Sequence, residues 1–167
     1  MRYLLTASHW QIALMQLIPI LCIFFLDGIL TPLQIGFMWI LLVVASVVWL
    51  LAIGLAANRL LGETLRKNET VLRITAIACP ILFTVVMVIM FQATQSSVPP
   101  PRWLIYVLFS GLGCFFYTLW FAASQFVAAE NKSETFYIEY AFPMIGFWFG
   151  FVGAWFLQPR VNKVLGS

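Results

Sequence analysis

Between Trp10 and Gln158 the chain threads a series of long apolar segments, none with an Asp, Glu, Lys, Arg or His near its middle. About 20 apolar residues suffice to cross a bilayer as helix, and in lipid the backbone polar groups must be paired within the segment. With 63% hydrophobic and 9% charged residues in 167, these side chains cannot be hidden in a water-soluble core, since a domain of this size buries only about 70% of its surface. The expected fold is all-α: a polytopic transmembrane helical bundle forming a single domain over residues 1–167, with no soluble part and the first helix retained.

The apolar segments cover about 10–26, 35–57, 74–94, 103–127 and 141–157. Pro19 and Pro80 predict kinks in the first and third. Asp27 at the end of the first reads as a wet terminal residue, and Pro99-Pro100-Pro101 as a stiff extended turn. Five spans place Arg2, Arg59, Arg66, Lys67, Arg73 and Lys132 on one side, against Arg102, Arg160 and Lys163 on the other. Six against three puts the N-terminus in the cytoplasm. If the last segment dips in and returns, or lies along the interface, Arg160 and Lys163 change sides and the count becomes eight against one. A fifth span is nevertheless the favoured reading, because about 17 apolar residues can just cross a bilayer by thinning it or by snorkelling.

The lack of central charges removes the usual marker of an ion path, proton relay or catalytic site in the membrane. The net charge of +3 resides in loops and reads as an orientation signal, so no nucleic-acid partner is expected. Cys22, Cys79 and Cys114 lie inside apolar stretches at scattered positions, as small packing residues do. Phosphate-binding glycine loops and His-Glu-x-x-His or Gly-x-Ser-x-Gly motifs are absent from the sequence. No cofactor, metal or catalytic residue is expected.

Four constellations remain. At 100° per residue, Gly146, Gly150, Gly153 and Ala154 share one narrow face of the last segment, with Phe147, Trp148, Phe149, Phe151, Trp155 and Phe156 around the rest. Small residues at that spacing let a second helix approach closely, either a neighbour in the same chain, a membrane-protein partner or a second copy. The basic residues Arg59, Arg66, Lys67 and Arg73, with Arg160, suit anionic lipid headgroups at roughly 1 kcal/mol per charge. Glu130, Glu134 and Glu139 form the only carboxylate cluster of the sequence and, with Asn162, an alternative polar site; a solvated loop face is the simpler reading. Gln16, Thr84, Gln92, Ser110, Thr118, Ser124 and Gln125 lie inside apolar segments. Hydrogen-bonding between helices is favoured for them over lining a cavity.

The tail Trp155-Phe156-Leu157-Gln158-Pro159-Arg160-Val161-Asn162 resembles the Trp-Phe-x-Gln-Pro-Arg-x-Asn ending of a group of small polytopic bacterial membrane proteins, uncharacterised and Bacteroidota-like. The resemblance covers the last quarter of the chain. It implies a bacterial inner-membrane protein and brings no activity. Physically, Pro159 predicts a helix stop, with Arg160 reaching phosphates and Asn162 capping freed backbone groups. The combined expectation is a non-enzymatic scaffold or accessory subunit in contact with membrane lipids. The alternative is a small transporter or lipid-handling enzyme using the Glu130–Glu139 loop and Arg160/Asn162, a layout that requires the last segment not to cross.

Overall fold

The computed structural model describes residues 8–26, 29–96, 98–133 and 136–165. These form six helices and no strand: α1 (His9–Phe25), α2 (Pro32–Leu60), α3 (Glu69–Ser96), α4 (Leu104–Asn131), α5 (Tyr137–Trp148) and α6 (Phe151–Leu165). Arg2, Asp27 and Glu134, which enter the sequence reading, lie outside the described residues. α2, α3 and α4 are long and apolar enough to cross a membrane. Phe25 and Ile138 are 78% and 81% exposed, a cost in water that lipid removes. The chain is an integral membrane protein built as a helical bundle.

Local chemistry sets the helix ends. At the start of α2, Thr31 N–H donates to Gln34 Oε1 at 2.8 Å while Gln34 N–H donates to Thr31 Oγ1 at 3.4 Å. This reciprocal box, with Pro32 in the first turn, satisfies amide donors that have no partner inside the helix. At its other end the Arg66 guanidinium donates to the carbonyls of Asn58, Arg59 and Leu61 at 3.1–3.3 Å. Asn68 Oδ1 accepts from Thr70 N–H at 2.8 Å to open α3, and Lys132 closes α4 in the left-handed conformation, φ 54°. Glu139 Oε2 accepts from Phe136 N–H at 3.1 Å to start α5.

The last apolar segment corrects the five-span reading. It is two helices, α5 and α6, joined by a turn at Phe149-Gly150 in which Gly150 has φ +51°. α5 returns along α4: Trp148 at its end stacks on Phe116, centroids 4.8 Å apart and planes 11° apart. Phe116 lies halfway along α4, so the turn sits about 22 Å from the Asn131 end at 1.5 Å per residue. α6 then runs back, and Arg160 meets Glu130 at the end of α4. The hairpin enters and leaves the bundle at one end. Its arms of 12 and 15 residues, about 18 and 22 Å long, are each too short for a span.

The proline in α6 brings a second correction: Pro159 does not stop the helix, which continues to Leu165. Proline removes one amide donor, but Leu157, Gln158 and Val161 are at most 1% exposed. Trp49 Nε1–H donates to Gln158 Oε1 at 3.0 Å, and Gln158 Nε2 donates to Asn162 Oδ1 at 2.8 Å. Burial of this face outweighs the local preference.

The core lies in the half of the bundle nearer the basic end. Ile12 and Ala13 of α1, Trp49, Leu50 and Ile53 of α2, Leu119 and Phe126 of α4, Phe147 of α5 and Leu157 and Val161 of α6 pack together there. Trp49 and Phe126 both meet the Phe147 ring edge to face, at 5.4 and 6.1 Å. α3 joins through a smaller cluster of Val47, Ala76 and Cys79.

Candidate functional site

The glycines of the predicted groove are used inside the hairpin. Gly146 and Gly153 do not share a stripe on one helix; they face each other across the turn. A Cβ on Gly153 would overlap the Gly146 carbonyl and lie 3.0 Å from its Cα, and one on Gly146 would lie 2.6 Å from Leu157 Cδ1. Ala154 is fully buried in the shared core. Gly150 occupies the left-handed turn that side chains resist, and a Cβ there would stand 2.7 Å from Gln16 Oε1. The one-face geometry expected for these four residues is therefore replaced by closure of α5 on α6.

Most of the basic residues expected at headgroups have protein partners. Arg66 holds the carbonyls at the end of α2. Lys67 donates from Nζ to Ser124 Oγ at 3.2 Å and lies 4.2 Å from the Trp120 ring centroid, and burial there pushes its ammonium below the usual lysine range. Arg73 pairs with Glu69 at 2.9 Å. Arg59 has an exposed side chain. Buried Asn58 ties the loop down: its Nδ2 donates to Lys67 O at 2.9 Å and Glu69 Oε1 at 3.2 Å, and its Oδ1 accepts from Lys67 N–H at 2.9 Å.

The alternative polar site is partly assembled. Arg160 Nε donates to Glu130 Oε1 at 3.2 Å and its Nη2 to Oε2, with the guanidinium 5.7 Å from the Phe126 ring. Both side chains of this pair are partly exposed, 41% and 30%, so the pair sits at the rim of the bundle. Glu139 is turned to the start of α5, and Asn162 accepts from Gln158. Glu130, Glu139, Arg160 and Asn162 thus lie at one end, where the Glu130–Arg160 pair ties α4 to α6 while Glu139 and Asn162 bond within their own helices.

Of the polar residues within the apolar segments, Thr84, Ser110, Thr118 and Ser124 donate to carbonyls of their own helices at 2.7–3.2 Å. Gln16 behaves differently. It is fully buried, and among the described residues neither its Oε1 nor its Nε2 has a hydrogen-bond partner. Gln16 is among the residues around a cavity of about 340 Å³ at the hairpin turn, with Trp39, Ser46, Phe115, Trp148 and Phe149 among the walls. Trp39, Trp148 and Phe149 are 44–58% exposed, so the mouth opens sideways where lipid would lie. Sequence reasoning missed Trp39, Ser46 and Phe115 as a group. The available signal was a lone Gln in the middle of an apolar helix, which was assigned to helix-to-helix bonding.

Comparison with family models, curated proteins and solved structures finds no match to this chain. The chemistry of these residues therefore carries the functional reading.

Proposed function

We propose that this chain is a non-enzymatic membrane protein that takes a lipid-soluble molecule from the bilayer into the cavity at the turn of the α5–α6 hairpin. The observation that carries this reading is the turn itself: a broken apolar segment ends about halfway along α4, beside a lateral cavity. Non-helical backbone at membrane depth is tolerated where it is buried in protein or lines a cavity, and binding sites of membrane proteins recur at such helix breaks. A scaffold role through the glycine face draws no support from the geometry, since Gly146 and Gly153 contact each other.

The distribution of basic residues supports an orientation. With α6 returning to the end of α4, Arg59, Arg66, Lys67, Arg73, Lys132, Arg160 and Lys163 fall at one end and Arg102 at the other, seven against one among the basic residues described. The positive-inside rule then puts this end in the cytoplasm. The resemblance of the tail supports a bacterial inner membrane, where exposed Arg59 meets lipid headgroups.

Two measurements test this. In a background without the native cysteines, an impermeant maleimide on intact cells labels Val98→Cys and leaves Lys163→Cys unlabelled; labelling of both overturns the re-entrant arrangement. Purification in mild detergent followed by mass spectrometry of bound small molecules yields an enriched lipid-soluble compound from the wild type and less from Ser46→Phe, which fills the cavity. Equal recovery from a folded variant overturns the site.

A further inference from the structure

Resting on that reading, we infer that the cavity selects a neutral molecule of the quinone class: a planar ring bearing a carbonyl oxygen, bound with that oxygen on the Gln16 carboxamide. Three observations converge. First, among the described residues no ionisable side chain lines the cavity, so a charged ligand would enter a low-dielectric site without a counter-charge. Second, Trp39, Phe115, Trp148 and Phe149 supply aromatic walls, and Trp148 is already stacked on Phe116. Such surfaces favour a flat, offset-stacked ring over a flexible chain. At about 340 Å³ the space lies at the small end of ligand pockets, about 300–1,000 Å³, enough for a ring system but not for a whole diacyl lipid.

The third observation fixes the polar group. Gln16 is 0% exposed with both amide atoms unpartnered among the described residues, an arrangement that is expensive in lipid and rare in folded proteins. Its Nε2 carries two donors and its Oε1 accepts. The residue beside it, Gly150, lies in the turn between α5 and α6 and also lines this space. The unpartnered Gln16 amide donors suit an acceptor oxygen on the ligand, which is what a quinone carbonyl offers. Glycine at 150 keeps the approach open, because any Cβ there would abut Gln16 Oε1 at 2.7 Å.

The test uses the full chain in detergent and two probes of the same ring size. One is 2,3-dimethyl-1,4-naphthoquinone, whose methyl groups block addition of the free thiols Cys22, Cys79 and Cys114; the other is 2,3-dimethylnaphthalene, which lacks oxygen. Concentration-dependent rise of the unfolding temperature gives each affinity. The quinone is expected to bind the wild type about tenfold more tightly than the hydrocarbon, as one desolvated hydrogen bond provides. Gln16→Leu is expected to erase that preference while still binding both. Equal binding of the two probes by the wild type, with Gln16→Leu unchanged, overturns the quinone inference and leaves the lipid-soluble site intact. Binding of neither probe overturns the quinone inference, and recovery of a different bound compound by mass spectrometry then shows that the site itself survives.

Discussion

Substituting Gly153 by Ala is the sharpest test of the hairpin. In a helix that simply crosses the membrane, Gly→Ala stabilises by about 0.5–1 kcal/mol because alanine restricts the unfolded chain. In the hairpin the new methyl would overlap the Gly146 carbonyl and lie 3.0 Å from its Cα. Both atoms are backbone, so no rotamer change relieves the contact and the arms must separate. Overpacking costs about 1–3 kcal/mol, and a backbone clash inside the core that holds Phe147 and Leu157 belongs at the upper end, about 3 kcal/mol. For a chain of this size that lowers the unfolding temperature by about 6–12 °C. Gly146→Ala is the internal control: its methyl meets Leu157 Cδ1 at 2.6 Å, a side-chain atom able to shift, and the loss should be nearer 1 kcal/mol. Unfolding followed by intrinsic fluorescence in detergent gives both values. A Gly153→Ala protein that unfolds at or above the wild-type temperature refutes the hairpin, because the sign, as well as the size, of the effect depends on it.

Other perturbations probe the remaining contacts. Trp49→Phe removes the buried 3.0 Å bond to Gln158 and should cost about 1–3 kcal/mol, measured by denaturant titration. A double-mutant cycle on Glu130→Ala and Arg160→Ala should give a coupling of about 0.5–1 kcal/mol that shrinks in high salt, as a partly exposed pair does. Asn58→Ala removes three hydrogen bonds from the loop and should make residues 61–68 cleavable by protease in membranes while the helices persist. The Lys67 ammonium is held below its ordinary range by burial, so the folded state releases its proton first. Stability should rise as pH passes from the lowered folded value towards the ordinary lysine range, and Lys67→Met should remove that rise.

The helices that cross the bundle were legible because an unbroken apolar run in lipid leaves the backbone one solution. The basic loop was legible as charge, but not as a set of caps, since the Arg66 targets are backbone carbonyls. The turn at Gly150 was hidden for a physical reason. In water a turn advertises itself with polar residues, whereas here the turn lies in an apolar setting and reads Trp148-Phe149-Gly150-Phe151. The glycine spacing was visible, and helical periodicity assigned it to one face when the contact runs between two helices. Pro159 misled in the opposite direction, because its local penalty is smaller than the burial gained by Leu157 and Val161 on either side. The cavity depends on residues from α1, α2, α4 and the hairpin, a meeting that no local pattern encodes.

The packing of α1 against α6 has a consequence for how the chain is made. α1 leaves the ribosome before α2 to α5, and α6 after them, yet these two helices lie side by side. α1 has 17 residues interrupted by Pro19, and neither arm of the hairpin reaches across a bilayer. The three longest helices, α2 to α4, offer the surface on which α1 and the hairpin pack. The fold is completed only when its earliest described helix receives its last one, and until then Gln16 and Trp49 stand open to lipid or to the insertion machinery.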